Sequence, residues 1–211
     1  MLQHYFGGLM YKLCKTEESS KRQREIEDTL LNLMRDKHYD EITVSEICEA
    51  ANIPRKSFYR YFDGKDGVKQ ALLHHTFSDF DCFKLSRADI NIKIREEFEG
   101  YFTFWRSKKD LLEAFDKSNL LGLFVGDAIT YAMNEFSNIK MYLSDSADRE
   151  KELAYQFVVC GLMTMTINWY RSGFAETIPN LARTATKLIT KQFFENLTRT
   201  EYNVKNRLQK H

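Results

Sequence analysis

Proline is almost missing from this chain: Pro54 and Pro179 are the two in 211 residues. Glycine occurs nine times. Long stretches therefore carry no helix breaker, and the turn punctuation that a many-stranded sheet requires is lacking. Charge of one sign is lacking as well, since 31 Lys and Arg stand against 30 Asp and Glu for a formal net charge of +1. Attraction of the whole molecule to nucleic acid or membrane is thereby no argument, and any electrostatic site has to be local. Cys14, Cys48, Cys82 and Cys160 form no Cys-x-x-Cys pair, which fits neither a zinc site nor a small disulfide scaffold and leaves reduced thiols of a cytoplasmic protein as the simple reading. The most apolar runs, "NLLGLFVGDAITYAM" and "FVVCGLMTMTINWY", are broken by Asp127 and Asn168 and fall short of the about 20 apolar residues of a membrane span. Residues 1–10 show no basic start followed by an apolar core, so they do not read as a signal peptide.

What the chain does contain is helical periodicity. Ile26, Leu30, Leu33 and Met34 follow the i, i+4, i+7, i+8 spacing of an amphipathic helix that ends before "DKHYDE". Thr43 with Glu46 three residues on forms a capping box, and Val44, Ile47, Cys48 and Ala51 continue as an apolar stripe. Asn52-Ile53-Pro54 turns the chain, Asn being tolerant of the left-handed conformation and Pro suited to a helix start. A third helix is expected over Arg55–Tyr61 and a fourth from Lys65 to about Cys82. Longer helices are expected near 90–106, 108–117, 119–141, 149–172 and 177–198, with Ser107-Lys-Lys-Asp110 as a capping box, Gly173 as a C-cap, and Thr177 with Pro179 at the last start. The fold class is all-α: residues 1–18 a disordered leader with Met10 as an alternative start, 19–66 a three-helix head, 67–211 a larger helical domain reached through the fourth helix.

One segment concentrates charge. On a helical wheel Phe58 and Phe62 point one way, while Lys56, Ser57 and Arg60 occupy the other side with Arg55, Tyr59 and Tyr61 at its edges. From residue 55 to 65, Arg55, Lys56, Arg60 and Lys65 oppose Asp63 alone, an excess of 4 − 1 = 3 positive charges. A helix with an aromatic inner face and a cationic outer face, set behind a helix and a tight turn, suits the DNA major groove: Lys and Arg neutralise phosphates, and Arg can grip guanine through two bonds. The bland alternative is a solvated basic face whose aromatics serve stability alone.

The context decides between them. "TVSEICEAANIPRKSFYRYFDGKDGV" resembles the DNA-binding segment of the TetR family of transcriptional regulators, matching its pattern at Thr43, Ile47, Ala51, Phe58, Tyr59, Tyr61, Phe62, Lys65 and Asp66. The resemblance is strong over about residues 20–72 and loose beyond. It implies major-groove contacts from Ser45, Arg55, Lys56, Ser57 and Arg60, and phosphate contacts from Thr43, Tyr59, Tyr61 and Lys65. Asn52, Pro54 and Lys56 depart from the family's usual glycine, serine and glycine, which leaves the operator sequence open.

In the second half a Trp-x-x-x-Gly break at Gly173 separates two long helices, which looks like the family's dimerisation region. Phe157, Gly161 and Thr164 on the first, with Ala182, Ala185 and Ile189 on the second, are the candidate homodimer contacts; the other reading buries this face within one subunit. A two-fold operator favours the dimer, because it needs two reading helices roughly 34 Å apart. Tyr101, Trp105, Phe124, Tyr131, Met163 and Trp169 suit either an effector pocket or ordinary core packing. The resemblance implies the pocket without naming its small molecule. His74 and His75, near Asp79, Asp81 and Cys82, point in different directions on a helix and make a poor metal site, and Cys160 reads as an inert core thiol. No cofactor, membrane anchor or catalytic constellation is suggested, the five histidines lying away from the aromatic region. These features together imply a homodimeric repressor released from a palindromic operator by a small molecule. The alternative is a TetR-like activator controlled by a protein partner.

Overall fold

The computed structural model of the protein describes residues 10–80, 90–140 and 148–189. Among them the chain is helical, with a lone antiparallel β-bridge between Tyr11 and Phe62. Contacts divide it into two compact units, Met1–Asp81 with Lys108–Asp145, and Cys82–Ser107 with Ser146–His211. Two helices of the expected regulatory half thus share a unit with the head.

In the first unit α1 (Glu17–Asp36) begins at Thr16, whose hydroxyl accepts from the Ser19 amide while the Ser19 side chain reaches back to the Thr16 amide. Its expected stripe is buried through Ile26, Leu30 and Met34. A 3₁₀ turn (Tyr39–Glu41) leads to α2 (Val44–Ala50), α3 (Arg55–Phe58) and α4 (Lys65–Asp79). Asn52 takes φ 50°, the left-handed conformation its short polar side chain tolerates. Ile47, Phe58, Phe62 and Val68 close the core under α1, each fully buried. Against this bundle pack α6 (Lys109–Lys117) and α7 (Leu121–Lys140), through Phe115, Phe124 and Phe77 with ring centroids 5.5 to 5.9 Å apart. Polar bonds fix α6 to the end of α1: Lys117 donates to the Arg35 carbonyl at 2.7 Å, Asp110 pairs with Arg35, and the Ser118 hydroxyl accepts from the Tyr39 amide at 3.1 Å.

The second unit holds α5 (Ile90–Ser107), α8 (Asp148–Arg171) and α9 (Ile178–Ile189). Phe102 packs edge-on against Trp169 at 5.7 Å, and the Tyr101 hydroxyl accepts from Thr166 at 3.0 Å and donates to the Met163 sulfur at 3.3 Å. Gly173 at φ 69° ends α8 as expected, and Phe174 follows at φ 60° with its amide bonded to the Trp169 carbonyl.

Four expectations change. Residues 10–18 are not loose leader, since Tyr11 is buried and Thr16 caps α1. The third helix stops at Phe58 rather than Tyr61, because Arg60 and Tyr61 bond three residues back instead of four. Ser107 does not cap α6; its hydroxyl donates to the Phe104 carbonyl, and Lys108 stands at the cap position without a side-chain bond. The fourth helix ends at Asp79. Cys82, residues 1–9 and 190–198 of the expected last helix lie outside the described residues.

Candidate nucleic-acid interface

Helix α2 is held at its start by a closed polar circuit. The Thr43 hydroxyl accepts from the Glu46 amide at 3.2 Å, while the Thr43 amide and hydroxyl donate to the Glu46 carboxylate at 2.8 and 2.9 Å. Lys37 adds an ion pair. Its hydrogen bond, then those from Thr43, lower the Glu46 pKa to about 2. Thr43 is exposed, but its hydroxyl already gives and receives a bond. Ser45, one residue into the helix, is exposed.

The recognition segment, 55–62, presents its two faces as the helical wheel requires. Phe58 and Phe62 are fully buried with ring centroids 5.5 Å apart. Arg55, Lys56, Tyr59 and Arg60 are exposed, Ser57 and Tyr61 half-buried. A hydrogen bond with Tyr59 raises the Arg55 pKa further above its already basic value, so this cation stays charged. The outer face is therefore an array of fixed positive charge and hydroxyls over an apolar foundation, the arrangement that major-groove reading with flanking phosphate contacts demands.

Lys65 behaves differently. Its ammonium donates to three main-chain carbonyls of the 3₁₀ turn and its exit, Tyr39 at 2.8 Å, Asp40 at 3.1 Å and Ile42 at 2.9 Å, and it lies 4.5 Å above the Tyr39 ring. The three protons of an ammonium are thus all given within the fold. Nearby, Asp66 accepts from the Tyr39 hydroxyl at 2.7 Å and from Lys69 at 2.8 Å, and the Lys69 bond is the leading cause of its lowered pKa. Nothing in residue spacing distinguishes a lysine aimed at phosphate from one aimed at backbone; the Tyr39 to Ile42 turn that receives it has no sequence signature of its own.

The expected effector-pocket residues fall in both units. Tyr101, Trp105, Met163 and Trp169 lie in the second unit and are buried in its packing, while Phe124 and Tyr131 lie in the first against Phe77. A cavity of about 370 Å³ in the first unit is lined instead by residues that include Met10, Asp66, Lys69, Leu73, Phe115 and Asp127. Burial raises the Asp127 pKa, with Lys69 opposing. Of the candidate dimer contacts, Phe157, Gly161 and Thr164 form an exposed stripe on α8, with Phe157 68% exposed. Ala182 and Ala185 are buried inside the second unit, and Ile189 is half-buried. Among the described residues no group of three metal-ligating side chains is assembled, and the His75 ring nitrogen bonds the Glu27 carboxylate at 2.9 Å. Among them also, no helix is long and apolar enough to cross a membrane.

Comparison with known proteins places these features. Residues 26–72 match the family model described as bacterial regulatory proteins, tetR family. A curated relative, the biofilm operon icaADBC HTH-type negative transcriptional regulator IcaR of Staphylococcus epidermidis, is 29% identical over 80 residues, 38% of this chain. That match spans 43% of the relative's length. A tetR-family transcriptional regulator from Streptomyces coelicolor has a similar fold, with a TM-score of 0.54 at 19% identity over 82% of this chain and 80% of that one. The fatty acid degradation regulator FadR from Bacillus halodurans matches with a TM-score of 0.53 at 17% identity, over 86% of this chain and 98% of its own.

Proposed function

We propose that this chain, whose residues 26–72 match the tetR family model, is a DNA-binding repressor of that family rather than an enzyme, working in the cytoplasm as a homodimer. The observation that carries the reading is the recognition segment: Arg55, Lys56 and Arg60 exposed above the buried Phe58 and Phe62, behind a capped α2 and a left-handed Asn52. Ser45, Arg55, Lys56, Ser57 and Arg60 read base edges in this proposal. Tyr59 and Tyr61 contact phosphates, and Thr43 and Lys65 hold the two helices that present them. Residues 19–66 are the reading head and 67–211 the part that regulates it.

The repressor sign is supported by the negative regulator among the relatives. Pairing through α8 is supported by the exposed Leu153, Phe157, Gly161 and Thr164, an apolar and small-residue stripe suited to meeting its own copy about a two-fold axis. Release by a small molecule is supported by the cavity of about 370 Å³, which falls within the range of ligand pockets and borders α4.

The test is selection of bound sequences from random duplex DNA by the full chain, followed by titration of the enriched sequence at two salt concentrations. A palindrome with two half-sites is the expected result. Weak binding that depends on salt but enriches no sequence would defeat the proposal and favour an activator that depends on a protein partner.

A further inference from the structure

The short third helix leaves a problem that the head solves with a segment outside it. At Arg60 and Tyr61 the α-helical ladder of the recognition segment gives way to bonds three residues back, yet Tyr59, Arg60 and Tyr61 must hold their directions to read DNA. Residues 10–12 run antiparallel beside it. The Lys12 amide donates to the Tyr61 carbonyl at 2.8 Å and the Asp63 amide donates to the Met10 carbonyl at 2.9 Å. The arm is tied on its other side as well: the Met10 amide donates to Gln70 on α4 at 2.9 Å, and the buried Gln23 on α1 donates to the Lys12 carbonyl at 3.0 Å. Between these bonds Tyr11 is 3% exposed, its ring 6.0 and 5.9 Å from those of His74 and His75.

We propose that Met10–Lys12 is a positioning strap that aims the recognition segment, with Tyr11 as its anchor and Gly67 as its seat. Gly67 is decisive because a Cβ there would lie 2.1 Å from the Met10 carbonyl oxygen and 3.0 Å from its carbon. That contact is with main chain, so a side chain at 67 and the strap cannot both be accommodated. The inference rests on the DNA-reading assignment, since what the strap aims is the basic segment.

Gly67→Ala tests it without touching any DNA-facing side chain. Within a helix, alanine is favoured over glycine, so helix content should hold, while expulsion of the strap with its buried Tyr11 should lower the melting temperature without preventing folding. Affinity for the selected operator should fall by about tenfold, as for loss of a base-reading residue, with binding to random duplex little changed. Tyr11→Ala should do the same, and the double variant should be no weaker than the weaker single one, because both remove the same contact. Tyr11→Phe should bind as the parent does, the buried hydroxyl having no hydrogen-bond partner among the described residues. Amide exchange at Lys12 and Asp63 reads strap docking with no DNA present. Loss of that protection in Gly67→Ala with operator affinity intact would overturn the strap, as would a variant too unstable to fold, which would assign the arm to stability and not to aim. Failure of the parent protein to enrich any sequence would count against the DNA-reading assignment alone, and shows before any variant is made.

Discussion

Lys65→Met keeps the aliphatic stem and removes the ammonium, and so separates two jobs that this lysine could hold. In the structure its protons go to the carbonyls of Tyr39, Asp40 and Ile42. The three losses are unequal. The Tyr39 carbonyl keeps the Ile42 amide as a second donor at 3.2 Å, and the bond to Asp40 is exposed, so water can replace it. The Ile42 carbonyl, part-buried, loses its charged donor at a cost of about 1.5–3 kcal/mol. The cation above the Tyr39 ring adds about 0.5–1 kcal/mol. A total of about 2–4 kcal/mol corresponds, for a chain of this size, to a melting temperature lowered by roughly 4–16 °C. Lys65→Arg should rescue little, since a flat guanidinium fork does not converge on three carbonyls as an ammonium does. Thermal unfolding followed by circular dichroism is the assay, paired with the salt dependence of DNA binding. A melting temperature unchanged in Lys65→Met, with the salt slope reduced by about one, would refute the reasoning and return Lys65 to a phosphate.

Three further outcomes follow from other parts of the molecule. Lys56→Ala and Arg60→Ala should each weaken operator binding by about 1–3 kcal/mol and relax sequence preference, measured by competition between operator and point-changed duplexes; a double variant with undiminished affinity would remove the interface assignment. Burial lowers the His74 pKa from 6.5 to about 4, with the neighbouring His75 and Arg24 acting in the same direction. The folded state thus disfavours the proton that the unfolded chain takes up, and the His74 contribution, intact above pH 6.5, is lost as pH falls toward 4. Glu27, raised by burial, acts with the opposite sign, so His74→Gln should reduce the acid-side loss in pH-dependent melting without abolishing every titration in the core. Phe157→Glu places a charge on the most exposed large apolar residue of α8 and should yield monomers in sedimentation, while a variant that still sediments as a dimer places the interface elsewhere.

The head was legible in the sequence wherever a local rule decides the geometry. The capping box of Thr43 and Glu46, the left-handed Asn52 and the opposed Phe58 and Phe62 faces all depend on residues within four positions of one another. What escaped depends on distant partners. Tyr11 and Phe62 are 51 positions apart, and no periodicity announces a single bridge. Lys65 matched a family position, yet its bonds are set by a turn more than twenty residues upstream. Along α9 the apolar stripe was visible, but a stripe does not say which neighbour covers it; Ala182 and Ala185 are used inside the second unit, while Leu188 on the same helix is 59% exposed.

The chain has two tryptophans, Trp105 and Trp169, both buried in the second unit, with Trp169 further tied by its indole nitrogen to the Glu176 carbonyl at 2.8 Å. The first unit, which includes the reading head, contains only tyrosine among the strongly absorbing fluorophores. Indole emission therefore reports directly on the surroundings of Trp105 and Trp169 in the second unit. Opening of the head, or release of its arm, should register first in far-ultraviolet ellipticity and tyrosine absorbance. Divergence between those signals along a denaturation curve would then be a direct optical measure of how far the two units unfold independently.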